Sequence, residues 1–274
     1  MNNNIPIFDS LTHPTLDGNW IMPKYPACAS IDSLQIQMQQ YNICGAFAVG
    51  MQGIGGYNED AFLQMITDNG KNRLFPIAFY IFAEKNNETI YQDLLAIKSK
   101  GYTGIKLHPR VGDFSMDDIR LPYVINVANE LGLVVLLCTY FYNNRIGCSA
   151  NTIDSLTEML AHLSPTSKVI LLHGGGVRLL EMMEVVRAFP NTLLDISLTM
   201  CKYAGSSLDM DIQFLFKQFD RRVCVGTDHP EISHKQLRER FNFFASNTSI
   251  EKAENIAYKN ILDFTKLSNE YPIQ

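Results

Sequence analysis

The sequence predicts an α/β chain folded as one (β/α)8 TIM barrel over residues 1–274, closed by a C-terminal helix. Three observations carry this expectation. Short apolar runs rich in Val, Ile, Leu and Phe recur eight times along the 274 residues. Most lack polar alternation, as suits parallel strands covered on both faces. Each gap between them holds one amphipathic helix, with no Gly/Ser linker or low-complexity tract to split the chain.

The eight runs are 5–8, 43–49, 74–81, 104–107, 133–138, 168–172, 192–196 and 223–225. Asn58 can cap a helix that places Phe62, Met65 and Ile66 on one face and ends at Gly70. Asn87 or Thr89 opens a segment with Ile90, Leu94 and Ile97, closed by Gly101. Tyr123 to Leu131 follows Pro122 and stops at Gly132, the proline-in, glycine-out asymmetry of a helix. Ile153, Leu156, Met159 and Leu160 form a further apolar stripe, and Leu180, Met183 and Val186 another. Ile212, Leu215, Phe216 and Phe219 serve the seventh connection, and Leu237, Phe241 and Phe244 the eighth. Ser249 begins a last helix through Ile256, Ile261 and Phe264.

Composition narrows the function classes. Hydrophobic residues make up 46% and charged residues 19%, enough for a large core. The net charge of −5 argues against a nucleic-acid face, which needs concentrated basic charge. No apolar run approaches the length of a membrane span. The start, Met1-Asn2-Asn3-Asn4-Ile5-Pro6, lacks the basic and apolar regions of a signal peptide, so a cytoplasmic protein is expected. The six cysteines contain no CxxC pair. Cys44, Cys138 and Cys224 lie in or beside apolar runs and read as small buried hydrophobes. No GxGxxG follows the first strand, so dinucleotide binding has no footing.

In this fold the C-terminal strand ends carry the chemistry. Four of the six histidines fall at such ends: His13, His108, His173 and His229. His162 and His234 belong to helices and read as surface residues. His229 directly follows Asp228, points away from it and reads as structural. Lys106 and His108 share parity, so both can face the barrel mouth. An ion pair is the simplest role for Lys106, ahead of anion binding or modification to a metal ligand. Asp9, His13, His108, Cys138, His173 and Asp228 are expected to gather at one barrel end. A carboxylate with several imidazoles can hold a divalent ion and move protons. Gly174-Gly175-Gly176 would let backbone approach a ligand closely.

At these residues the chain resembles the amidohydrolase superfamily, in its amidohydrolase-related (amidohydrolase 2) branch of hydrolases and decarboxylases. Phe8-Asp9-Ser10-Leu11-Thr12-His13-Pro14 sits where that family has Asp-x-His-x-His-Pro. Gly104 to Pro109, Val169 to Gly175, and Val225 to Pro230 are similar to its segments at strands 4, 6 and 8. Glu254 to Leu262 is like its terminal helix. The resemblance implies His13 and Asp228 as metal ligands, with Leu11 in place of one histidine and Cys138 in place of another. It therefore implies one divalent cation, zinc by its acceptance of N, S and O ligands, or none. Some members, lactonases of pyrone dicarboxylates, are understood to work without a metal.

The reading that follows is a hydrolase of a small, carboxylated amide, ester or lactone. Asp228 is its general base and His173 assists. His108, Lys106, Arg110, Tyr140, Arg145 and Arg178 are the candidate substrate-binding residues, although solvated loop charge is the simpler reading for each arginine alone. The alternatives are a decarboxylase of the same branch, or a barrel that has lost catalysis and binds a ligand. The expected partner is a small molecule, with no nucleic acid and no membrane, and self-association is left open.

Overall fold

A computed structural model describes residues 5–21, 28–70, 73–141 and 152–267. Eight parallel strands run in chain order in one sheet, β1 (Ile7–Thr12), β2 (Ile43–Val49), β3 (Leu74–Phe79), β4 (Gly104–Leu107), β5 (Val134–Cys138), β6 (Val169–Leu172), β7 (Thr192–Asp195) and β8 (Val223–Cys224). Helices alternate with them: α1 (Ile31–Gln40), α2 (Glu59–Asn69), α3 (Asn87–Lys100), α4 (Pro109–Gly112), α5 (Leu121–Glu130), α6 (Ile153–Ala161), α7 (Leu179–Ala188), α8 (Thr199–Lys202), α9 (Leu208–Gln218), α10 (His234–Ala245), α11 (Ile250–Glu254) and α12 (Asn260–Thr265). This is the (β/α)8 topology that the strand and helix alternation predicts.

The helix ends follow the local chemistry. Asn58 caps α2 by accepting from the Ala61 N–H at 3.0 Å. Asn86, one residue before the predicted start, caps α3 through the Thr89 N–H, and Gly101 closes it at φ 105°. Ser233 and Gln236 form a capping box at the start of α10. Between α11 and α12 a π-turn (Asn255–Lys259) leads into Asn260, whose amide donates to the carbonyls of Asp220 and Val223. One stripe is corrected: in α7 the buried residues are Leu179, Met182, Met183, Val185 and Val186, while Leu180 is exposed.

The chain divides into two compact units, Met1–Pro76 with Asp195–Gln274, and Ile77–Leu194. In the first, Ile196 N–H donates to Cys224 O, Ser10 N–H to Val225 O, and β1 pairs with β2. Its core holds Phe8, Phe47, Phe216, Phe241 and Phe244. In the second, β3 pairs with β4, β4 with β5, β5 with β6 and β6 with β7. Ile105, Leu107, Val135, Leu136, Leu137, Ile170 and Leu171 fill its interior. Among the described residues no helix is long and apolar enough to cross a membrane.

Candidate active site

In the first unit β1 runs further than its apolar residues suggest, because Asp9, Ser10 and Thr12 are buried within it. Burial of a carboxylate demands partners. Asp9 accepts from the N–H groups of Leu11 (3.1 Å) and Thr227 (2.9 Å) and from the Thr227 hydroxyl (2.7 Å). His234 Nε2 stands 2.9 Å from Oδ2, the oxygen that also accepts the Thr227 hydroxyl. His234 is thus wholly buried, against the expectation of a surface residue. The serines Ser10 and Ser197 both donate to buried Asp195, whose Oδ1 also accepts from the Ser197 N–H at 3.2 Å. His229 is buried too, and its burial in a site that disfavours charge lowers its pKa to about 3. It is therefore neutral at neutral pH.

The ring of His13 is fixed on three sides. Its Nδ1 is 2.9 Å from the Val49 carbonyl oxygen, so that nitrogen carries a proton and donates. Its Nε2 faces Asp228 Oδ1 at 3.3 Å, and Trp20 stacks on its face. Asp228 is not on strand 8, which ends at Cys224. It lies in the following loop at φ 60°, anchored by its N–H to Leu11 O at 2.9 Å. Strand alternation therefore does not set its direction. A left-handed backbone aims it instead, leaving its side chain 14% exposed.

The second unit gathers a different set. Cys138 ends β5 and is 1% exposed. Arg110 Nη2 lies 3.9 Å from its sulfur, and His108 and His173 are the neighbours that act on it. Burial alone would push this thiol up, but the two histidines outweigh it and hold it well below the usual thiol range. Cys138 is buried, as its apolar strand suggests. His108 caps α4, its Nδ1 accepting from the Val111 N–H at 3.3 Å. His173 follows β6 at φ 68° with its side chain buried, and Tyr140 meets its ring edge-on at 6.2 Å.

The remaining candidates have identified surroundings. Arg110 donates to the Tyr140 carbonyl and stacks over the Tyr140 ring. Lys106 is buried inside β4. Arg178 pairs with Glu181 in the first turn of α7, in keeping with a loop charge. Arg145 and Cys148 lie outside the described residues. Of the three glycines, Gly175 already donates its N–H to Thr139 Oγ1 at 3.3 Å.

The cation implied by the resemblance was tested against this geometry. Among the described residues no three His, Cys, Asp or Glu side chains are disposed to hold a metal ion. His13 and Asp228 form a pair in the first unit, fewer donors than a tetrahedral cation requires, so the donor set does not fit the cation. Sequence reasoning missed Asp195 and the His234–Asp9 pair. Only the polar Asp9-Ser10 entry to an apolar strand could have signalled them.

Comparison with known proteins bears first on the class of fold. An uncharacterized TIM-barrel protein from Bordetella bronchiseptica superposes with a TM-score of 0.79 at 16% identity, covering 96% of this chain and 99% of that one. A probable 2-pyrone-4,6-dicarboxylic acid hydrolase from Acinetobacter baumannii, with citric acid bound, gives 0.69 at 17% identity over 95% and 99%. A 5-carboxyvanillate decarboxylase variant from Novosphingobium aromaticivorans, with bound manganese, gives 0.64 at 10% identity over 97% and 98%. Other similar structures carry amidohydrolase names. At these identities the likeness establishes the TIM-barrel fold. No family model matches the chain, and no curated protein matches it.

Proposed function

We propose that the chain is a hydrolase of a small carboxylated amide, ester or lactone, with Asp228 as general base and His173 assisting. The observation that carries this reading is the His13–Asp228 pair at 3.3 Å. A carboxylate that is partly open to water and faces a fixed imidazole can take a proton from a water molecule. His13 Nδ1 is committed to a carbonyl, so any proton shared with Asp228 sits on the Nε2 side. His173, beside Tyr140, supplies a proton donor for the leaving group. The hydrolase name of one similar structure supports the same reaction class.

The second reading is decarboxylation, favoured by the decarboxylases among the similar structures. Product analysis separates them: a new acid with an alcohol or amine for hydrolysis, carbon dioxide for the alternative.

Asp228→Asn tests the assignment. It keeps size and removes the basic oxygen, so kcat should fall by ~10²–10⁴-fold while the melting temperature is kept. An Asn variant with full activity refutes the assignment. A double-mutant cycle with His173→Gln then reads whether the two residues act in one reaction: shared action gives losses that do not add.

A further inference from the structure

Two segments carry the His13–Asp228 pair, β1 with its following loop and the loop after β8, and one buried carboxylate touches both. Asp9 Oδ1 accepts from the Leu11 N–H at 3.1 Å and from the Thr227 N–H at 2.9 Å. Its Oδ2 accepts the Thr227 hydroxyl at 2.7 Å and stands 2.9 Å from His234 Nε2. Gly226 makes this approach possible, since a Cβ there would strike Ser10 Oγ and lie 2.8 Å from Asp9 Oδ1.

The Thr227 hydroxyl then decides how the next residues run. It has one proton and two acceptors in reach, Asp9 Oδ2 at 2.7 Å and the Leu11 carbonyl at 3.2 Å. The carboxylate oxygen is the nearer and takes the proton. The lone pairs of the hydroxyl are thereby turned to the His229 N–H, which donates at 2.9 Å. His229 in turn offers its carbonyl to the His13 N–H at 2.8 Å, and Asp228 donates its N–H to Leu11 O at 2.9 Å. The residues on both sides of Asp228 are thus fixed around one hydroxyl whose direction Asp9 sets. Asp228 needs such a frame, because a residue other than glycine at φ 60° persists only where its surroundings over-determine it.

We propose that Asp9, braced by His234, is a positioning residue that holds Asp228 and His13 at their working separation through Thr227. This rests on the hydrolase reading above and deepens it. Neither Asp9 nor Thr227 meets the substrate in this assignment, and their effect reaches the reaction through the backbone of 227–229. A second buried carboxylate in the same unit provides a control. Asp195 accepts from the hydroxyls of Ser10 and Ser197, joining β1 to the segment after β7, so losing a donor there also costs stability.

The test uses the full-length protein carrying 13C-labelled histidine. The Cε1–H signal of His13, identified by its loss in His13→Gln and its displacement in Asp228→Asn, reads the pair directly. Thr227→Val and Asp9→Asn should displace that signal beyond its linewidth. Thr227→Ser, which keeps the hydroxyl, and Ser197→Ala should leave it in place. With mono-4-nitrophenyl succinate, a carboxylated ester, kcat should fall at least ~10-fold in Thr227→Val while KM stays within about twofold, and Thr227→Ser should keep the parent rate. Thr227→Val retains the backbone N–H that Asp9 also accepts, so the fold survives loss of the hydroxyl. A His13 signal that stays put in Thr227→Val, or moves as far in Ser197→Ala, overturns the inference. So does an unchanged kcat where the signal has moved. The signal needs no turnover. If no ester is hydrolysed, the hydrolase reading fails while the positioning of the pair is still decided.

Discussion

The indole of Trp20 stacks on the imidazole of His13, with ring centroids 5.2 Å apart and planes 22° from parallel. Trp20 Nε1 also donates to Glu231 Oε1 at 2.7 Å, tying the loop after β1 to the loop after β8. The chain has one tryptophan, so its fluorescence reports this contact alone. An adjacent imidazole quenches an excited indole, and His13→Ala should raise the emission. Glu231→Ala should loosen the ring and shift emission to the red, whereas Glu231→Gln, which keeps an acceptor oxygen, should not. Unchanged spectra in both alanine variants would show that the stack is not populated in solution.

His229 gives a pH prediction with a definite sign. Its folded pKa lies at about 3, set first by burial and then by the neighbouring His234 charge. The unfolded value is near 6.5. Between those limits the unfolded chain binds a proton that the folded chain refuses. Stability is therefore full above about 6.5 and falls as the pH drops toward 3, by ~1.4 kcal/mol per pH unit for this one group. Urea unfolding of His229→Gln between pH 6.5 and 5 should show a slope smaller by about one proton. A slope equal to that of the parent protein would mean that His229 titrates normally.

The Asp9 network should be costly to break. Thr227→Val preserves shape but removes a buried hydroxyl that donates to Asp9 at 2.7 Å and accepts from the His229 N–H at 2.9 Å. A buried carboxylate deprived of one donor should cost about 1–3 kcal/mol, readable in the urea midpoint. A change below a few tenths of that would show that the backbone donors and His234 already satisfy the carboxylate.

Gly175 is constrained twice. Its φ is 68°, and a Cβ there would come within 2.5 Å of Met182 Cγ. Gly175→Ala should therefore destabilise by about 1–3 kcal/mol, through overpacking added to backbone strain. Adding Met182→Ala should relieve the clash and leave the strain. If the double variant is no better than the two single effects summed, strain dominates.

What the sequence made legible was apolar. The strands at 43–49 and 104–107 coincide with the observed β2 and β4, because a fully covered strand is an unbroken apolar run with clear ends. The stripe Ile153, Leu156, Met159 and Leu160 is the buried face of α6 for the same reason. The polar interior was hidden. Asp9 and His234 are partners across most of the chain's length, and nothing local to either announces the other. Asp228 was found through its segment, but what aims it was not legible, since strand alternation presumes an extended backbone and its φ is positive. Cys138 is buried as its apolar run suggests, but its two imidazole neighbours were hidden because they come from different strand ends.

His173 and Asp228 both hold the left-handed backbone that glycine adopts without strain, at φ 68° and φ 60°. Each costs the fold on the order of 1 kcal/mol that a glycine would not. A library of variants sorted for heat resistance alone should consequently drift toward glycine at 173 and 228. One sorted for turnover should hold both side chains. The divergence between two such selections would mark these side chains as held for turnover and not for the fold.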